Sequence, residues 1–386
     1  MSAEIEPRAI AVPDEALADL RERLNRTRWP SRETVEDERQ GARLERVRAL
    51  VDYWRRDYDW RRWETQLNAL GSSTTTIDGL AIHFLHVRSP EADALPLVMT
   101  HGWPSSVAEF RKVIGPLTDP AAHGGDPADA FHLVLPTIPG FGFTEQPREL
   151  GWMFPRIAEA WGTLMERLDY GARWGAQGGD LGAAVTDQIG RKLLPGCVGI
   201  HQTFAMFFPT ESEVADATAA ERAMLADAEE FWDTMSGYAK EQQTRPQTIG
   251  YSLADSPVGL AAWIYTHFED VCGTPGDAEA SFTRDELLDT IMMYWLPNAG
   301  PSSARIYWEM VQSGFRSPAR VDDPIAIPAG FTMFPREHVR KSERWVRRRY
   351  GDVVHFDEPD RGGHFGALEH PDAFVAGVRA TFRGLR

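Results

Sequence analysis

The feature that most constrains this 386-residue chain is a series of short apolar runs spaced by helix-length segments. LPLVMT (95–100), FHLVLP (131–136), ARWGAQ (172–177), CVGIHQTF (197–204), IPAGFTMF (327–334) and VVHF (353–356) do not strictly alternate apolar with polar residues. Strands that lack this alternation are covered on both faces, which predicts an α/β fold with a mainly parallel sheet and helices on each side. Ahead of them, STTTIDGLAIHFLHV from residue 73 places β-branched residues on both sides of Asp78-Gly79, the chemistry of a tight hairpin turn.

Two regions interrupt the pattern. Residues 1–72 read as a helical extension packed on the core: Pro13-Asp14 suits a helix start, with apolar stripes at Leu17, Leu20 and Leu24 and again at Leu44, Val47, Leu50, Val51 and Trp54. Between the core segments 73–204 and 321–386, residues 205–320 carry aromatic-rich helical sequence such as EFWDTMSGYAK and ELLDTIMMYWL, read as an inserted helical cap.

The bulk properties exclude several classes. A net charge of −16, spread along the chain, argues against nucleic acid or an anionic membrane as partner. Cys197 and Cys272 show no metal-ligand spacing and suit a reducing compartment, as small buried apolar residues. MSAEIEPRAI lacks the features of a signal peptide, and nowhere do about 18 apolar residues follow one another, so a soluble, cytoplasmic protein is expected. His83 and His86 are three apart on a strand and face opposite sides, and H-E-x-x-H is absent, so no metal site is expected.

Catalytic chemistry first suggests itself in GAQGGDLGAA (175–184), a strand-to-helix turn with the spacing G-x-D-x-G. Such a turn presents a nucleophile, and its tight backbone needs small residues around the exposed side chain. The rivals are a glycine-rich turn in which Asp180 only caps the following helix, and a dinucleotide loop. The latter lacks G-x-G-x-x-G, and Asp180 would repel phosphates. A nucleophile here requires an acid and then a histidine after later strands. Glu337 follows IPAGFTMF, and His364 stands in DRGGHFGALEHP after VVHF. By itself Glu337 reads equally as an exposed carboxylate at a helix start. His101-Gly102-Trp103-Pro104, directly after LPLVMT, offers an oxyanion-hole donor in the Trp103 N–H, with Leu181 as the second. GFGFTE (140–145) is assigned a structural role.

An aspartate changes the reaction such a turn can support. It is ionised at neutral pH, with a reference pKa of about 3.9, and needs no base to attack a saturated carbon. The product is an ester that water can cleave, whereas serine would leave a stable ether. On ordinary esters a carboxylate would give a reactive anhydride, which argues against esterase or peptidase activity.

HGWP, PGFGFTE, GGDLG, DSPVGLAAW, SSARIYWE and RGGHFGALEHP together resemble the microsomal-type branch of the epoxide hydrolases over nearly the whole chain, N-terminal helical extension included. The resemblance implies the α/β-hydrolase fold, with an eight-stranded-type sheet and an inserted cap. It implies Asp180 as nucleophile, His364 as base, Glu337 as orienting acid, and a pair of cap tyrosines, Tyr238 and Tyr307, donating to the epoxide oxygen. The sequence by itself leaves other tyrosines open, Tyr294 especially. No cofactor is required. Where the family usually has tryptophan after the nucleophile this chain has Leu181, which is expected to reshape one wall of the site, and no apolar leading helix like that of the animal members is expected. A haloalkane dehalogenase is the enzymatic alternative, disfavoured because the Leu181 side chain has no N–H for a halide; a non-catalytic ligand-binding homologue is the other. Trp103, Phe207, Trp232 and Trp263, with Phe208 nearby, are the candidate substrate contacts, and they suit a bulky apolar or aromatic epoxide. A homodimer is compatible with these features.

Overall fold

The computed structural model describes residues 4–386; Met1, Ser2 and Ala3, which open the stretch read above for a leader, lie outside the described residues. The strands are β1 (Glu6–Pro7), β2 (Ser72–Ile77), β3 (Leu80–Val87), β4 (Leu95–Thr100), β5 (Phe131–Pro136), β6 (Trp174–Gly178), β7 (Cys197–Gln202), β8 (Ala329–Thr332) and β9 (Val353–Asp357). They form one sheet in the order β1-β2-β3-β5-β4-β6-β7-β8-β9. From β5 to β9 every neighbouring pair is parallel, while β1, β2 and β3 join antiparallel at one edge. Every residue of β5 is buried, as a strand covered on both faces requires.

The sheet has one strand more than expected. Strands β2 to β9 make up the eight-stranded part, and the two-residue β1 adds to its edge through Glu6↔Thr74 and Pro7↔Ser73. Two residues carry no periodicity, and proline is tolerated on an edge because its missing N–H faces away from the ladder. The predicted hairpin is present: Asp78 and Gly79 both take positive φ, 49° and 80°, and join Ile77 to Leu80.

Helices cover both faces, and the chain between β7 and β8 is helical from Glu211 to Gln312. In the N-terminal segment, the helices Asp14–Asn25 and Leu44–Arg56 bury the predicted stripes. They lie largely against the cap helices Pro257–Val271 and Arg284–Trp295 rather than on the sheet layer alone. The connection is ionic as well as apolar. Fully buried Asp289, on the cap, accepts from Tyr58 Oη at 2.6 Å, Arg62 at 2.8 Å and Arg111 at 2.6 Å. A buried carboxylate is tolerated when its lone pairs are filled this way, and removing one partner of such a cluster costs about 3–5 kcal/mol. Cys272 is buried and Cys197 half-buried, both as free thiols.

Candidate active site

The G-x-D-x-G segment forms the turn between β6 and the helix Leu181–Lys192. Asp180 sits at φ 49°, ψ −123°, a conformation that non-glycine residues rarely adopt. Its side chain makes no capping bond to the helix, so the capping alternative falls. The flanking glycines follow from close packing. A Cβ on Gly178 would lie 2.2 Å from the Gly182 carbonyl oxygen, and one on Gly182 only 2.0 Å from that of Thr100 in β4. Only glycine lets the turn press this closely onto the neighbouring strand.

Asp180 is held by the loops at the carboxyl ends of the parallel strands. The Trp103 N–H, just past β4, donates to Oδ1 at 2.8 Å, and the neighbouring Leu181 N–H adds to the pull that lowers its pKa. His364, past β9, has Nε2 at 3.9 Å from Asp180 Oδ2, beyond hydrogen-bond distance. On the other side, its Nδ1 is 2.5 Å from Oε2 of Glu337, which follows β8 and is buried. Glu337 is therefore no exposed helix-start carboxylate.

The charges depend on one another. Burial raises the Asp180 pKa above the usual carboxylate range, against the pull of His364 and the two backbone N–H groups. For His364 burial works against the imidazolium, but the charge and hydrogen bond of Glu337, with Asp180 behind them, lift it to about 9. Burial opposes the charge on Glu337 too, yet His364 pulls it below the ordinary carboxylate range. Since part of the support for the imidazolium comes from Asp180, Asp180→Asn should lower the His364 pKa below about 9, read by NMR titration of the imidazole. An unmoved titration would break the linkage between the two groups.

The helices between β7 and β8 lie over the other side of Asp180. Tyr238 comes from the helix Gly237–Thr244 and Tyr307 from Gly300–Gln312, with ring centroids 6.1 Å apart. Burial, and next the charge of nearby groups including Asp180, push both hydroxyls well above 10, so they stay protonated. Tyr294 is a different case, since its hydroxyl already donates to the Ser105 carbonyl at 2.7 Å.

Asp180, Leu181, Tyr238, Tyr307, Glu337 and His364 line one cavity of about 750 Å³. Phe207 and Trp232 line it as expected, Trp232 from an exposed position and Phe207 from a buried one. Two other expected contacts do not line the cavity. The Trp103 indole is buried behind the cavity, stacked on Tyr238 at 4.7 Å and edge-on to Tyr307 at 6.0 Å, so it backs the tyrosines instead of lining the wall. Trp263 also lies outside the lining, because its indole packs towards the helix of Tyr238 and meets Gln242 at 3.5 Å. His267, which no sequence motif marks, lines the cavity 4.5 Å from the Tyr238 ring and 6.0 Å from that of His364. Burial holds its pKa well below 6.5, so it is neutral. Among the described residues, no three acidic, histidine or cysteine side chains gather as a metal would need.

A parallel sheet with an aspartate on the strand-to-helix turn, and a histidine–carboxylate pair beside it, defines a hydrolase of the α/β-hydrolase fold. Comparison with known proteins narrows the class. Residues 5–110 match the family described as the epoxide hydrolase N terminus. A Stigmatella aurantiaca (strain DW4/3-1) relative that carries the epoxide hydrolase name is 50% identical over 99% of this chain and 86% of its own length. Epoxide hydrolase 1 of Sus scrofa is 33% identical over 99% of this chain and 89% of its own. Among solved structures, the Aspergillus niger epoxide hydrolase superposes with a TM-score of 0.87 at 29% identity, covering 100% of this chain and 97% of that one. The chain belongs to the epoxide hydrolase family and is an epoxide hydrolase.

Proposed function

We propose that the chain converts an epoxide and water to a vicinal diol through an ester on Asp180, with an apolar epoxide of some bulk as substrate. The observation that carries the reading is the setting of Asp180. It is a carboxylate, not a hydroxyl, on a strained turn, oriented by the Trp103 N–H and facing a cavity that also holds a protonated tyrosine pair and a histidine.

In the first step an Asp180 oxygen attacks a ring carbon, the C–O bond breaks, and its electron pair stays on the epoxide oxygen. Tyr238 and Tyr307 supply the proton that oxygen needs, and the His364 imidazolium makes good the proton the tyrosines lose. His364 thereby becomes neutral just as Asp180 loses its charge to the ester, which removes part of what held the imidazolium charged. In the second step neutral His364 takes a proton from water attacking the ester carbonyl. The Trp103 and Leu181 N–H groups hold the oxyanion, a contribution of about 3 kcal/mol for one such donor. Collapse releases the diol, Asp180 returns as carboxylate, and His364 again carries its proton. Atoms and charges balance without a further reactant.

Oxygen tracing tests the route. Over one turnover in heavy-oxygen water, Asp180 should gain the label and the diol should not. Label in the diol with none in the protein would sink the covalent mechanism. The tyrosines can be examined separately. Tyr238→Phe and Tyr307→Phe should each slow ester formation by about tenfold to a hundredfold, and the double variant by roughly a thousandfold, with the rate of ester hydrolysis little affected. An unchanged alkylation rate in the double variant would remove them from the first step.

A further inference from the structure

The catalytic groups leave one buried charged side chain of the cavity unexplained. Lys341, in the same post-β8 loop as Glu337, is 3% exposed, yet it lines the cavity. Its Nζ donates to the Val339 carbonyl at 2.6 Å and approaches the Phe207 ring at 5.6 Å. No carboxylate reaches ion-pair distance of it among the described residues. Glu337, the charge that most supports it, is engaged with His364. Arg349 shows what a provided-for cation looks like here: it stacks on the same Phe207 ring at 4.1 Å but is bonded to both oxygens of Glu213, at 2.8 and 2.6 Å. Arg316, also in the cavity wall, has no ion pair among the described residues.

A buried ammonium with one carbonyl partner is costly to keep, and burial drags Lys341 down to about 7. In a cavity wall the missing counter-charge can be brought by a ligand. From this geometry we infer that Lys341 binds a carboxylate at the end of the substrate away from the reacting ring, so that the enzyme acts on apolar epoxides that also carry a carboxylic acid. A compact ammonium suits a single carboxylate, whereas a phosphate favours a guanidinium fork, and the one buried guanidinium beside Phe207 is already filled by Glu213. The apolar residues between, Phe204 and Phe207 among them, suit the hydrocarbon of such a molecule. The inference rests on the reading of this cavity as the epoxide site.

Paired substrates test it: an ω-epoxy alkanoate and its methyl ester, with styrene oxide as a third. Diol formation from styrene oxide or the ester establishes the underlying hydrolase reading whatever happens to the acid. In the wild-type enzyme KM for the acid should be at least about tenfold below that for the ester, across a series of chain lengths at its best member. Lys341→Met should raise KM for the acid about tenfold more than for the ester, with Lys341→Arg keeping most of the preference. A wild-type enzyme with no preference for the acid at any chain length overturns the inference, and so does a Lys341→Met variant that loses kcat equally on both substrates, which would make Lys341 a support for Glu337.

Discussion

Asp180→Ala should lower epoxide turnover by about ten-thousandfold or more while leaving the protein folded, measured as diol formation beside a thermal unfolding curve. On the proposed route the carboxylate is both the attacking group and the carrier of the intermediate, and no neighbour can replace it. Glu109, another buried carboxyl under the influence of His364, is pushed up to about 7 by burial. It is not in the cavity lining, so it offers no second nucleophile. Retention of even a tenth of the activity would require water to attack the epoxide directly, a different mechanism.

The same position should be a stability liability, and Asp180→Gly exposes it. Two costs are removed: a non-glycine residue at φ 49°, ψ −123°, a strain of order 1–3 kcal/mol, and a carboxylate whose charge burial disfavours. The hydrogen bond from Trp103 is lost, but a net bond of about 1 kcal/mol is replaced in part by water in an open cavity. The inactive Asp180→Gly protein is expected to melt about 2 °C or more above wild type. A lower melting temperature would mean that the turn is held by the aspartate rather than strained by it.

Such local constraints explain why the elbow could be read from the chain while much around it could not. Gly178, Asp180 and Gly182 lie within five residues, and the collision that demands glycine at 178 comes from the very next helix, at Gly182, although that at 182 comes from Thr100 in β4. Glu337 and His364 were legible because chain order fixes which strand end each follows in a parallel sheet. Where the indoles go is another matter. Trp103 and Trp263 read as pocket aromatics by composition, but which face each presents depends on another helix of the fold: Tyr238 claims the Trp103 face, and Gln242 of the same helix meets the Trp263 indole. Packing of the N-terminal helices on the cap is unreadable for the same reason, since Asp289 meets Tyr58, Arg62 and Arg111 across 231, 227 and 178 residues. Lys341 and His267 sit in no motif. Their significance comes from burial and missing partners, which a sequence does not display. The proposed tyrosine pair rests on the family resemblance, and the Tyr294 hydroxyl already donates to a backbone carbonyl.

His364→Gln should separate the two halves of the reaction. Glutamine can still donate to Glu337 but cannot take a proton from water, so ester hydrolysis should slow by about a hundredfold to ten-thousandfold while Asp180 remains able to attack. The enzyme would then consume about one equivalent of epoxide and stall, and the peptide carrying Asp180 would gain the full mass of the substrate. An unmodified peptide after prolonged exposure would refute the ester intermediate. The variant should also change the pH dependence of the first step. In the wild-type protein the His364 imidazolium, raised to about 9, is present below that pH and lost above it. If it restores the tyrosine proton, single-turnover alkylation should hold steady towards about 9 and fall beyond. In His364→Gln the proton must come from solvent, so alkylation should be slower at neutral pH and lack the fall near 9. A wild-type alkylation rate that climbs through 9 would place the alkoxide's proton source elsewhere, with His364 serving as a base in the second step alone.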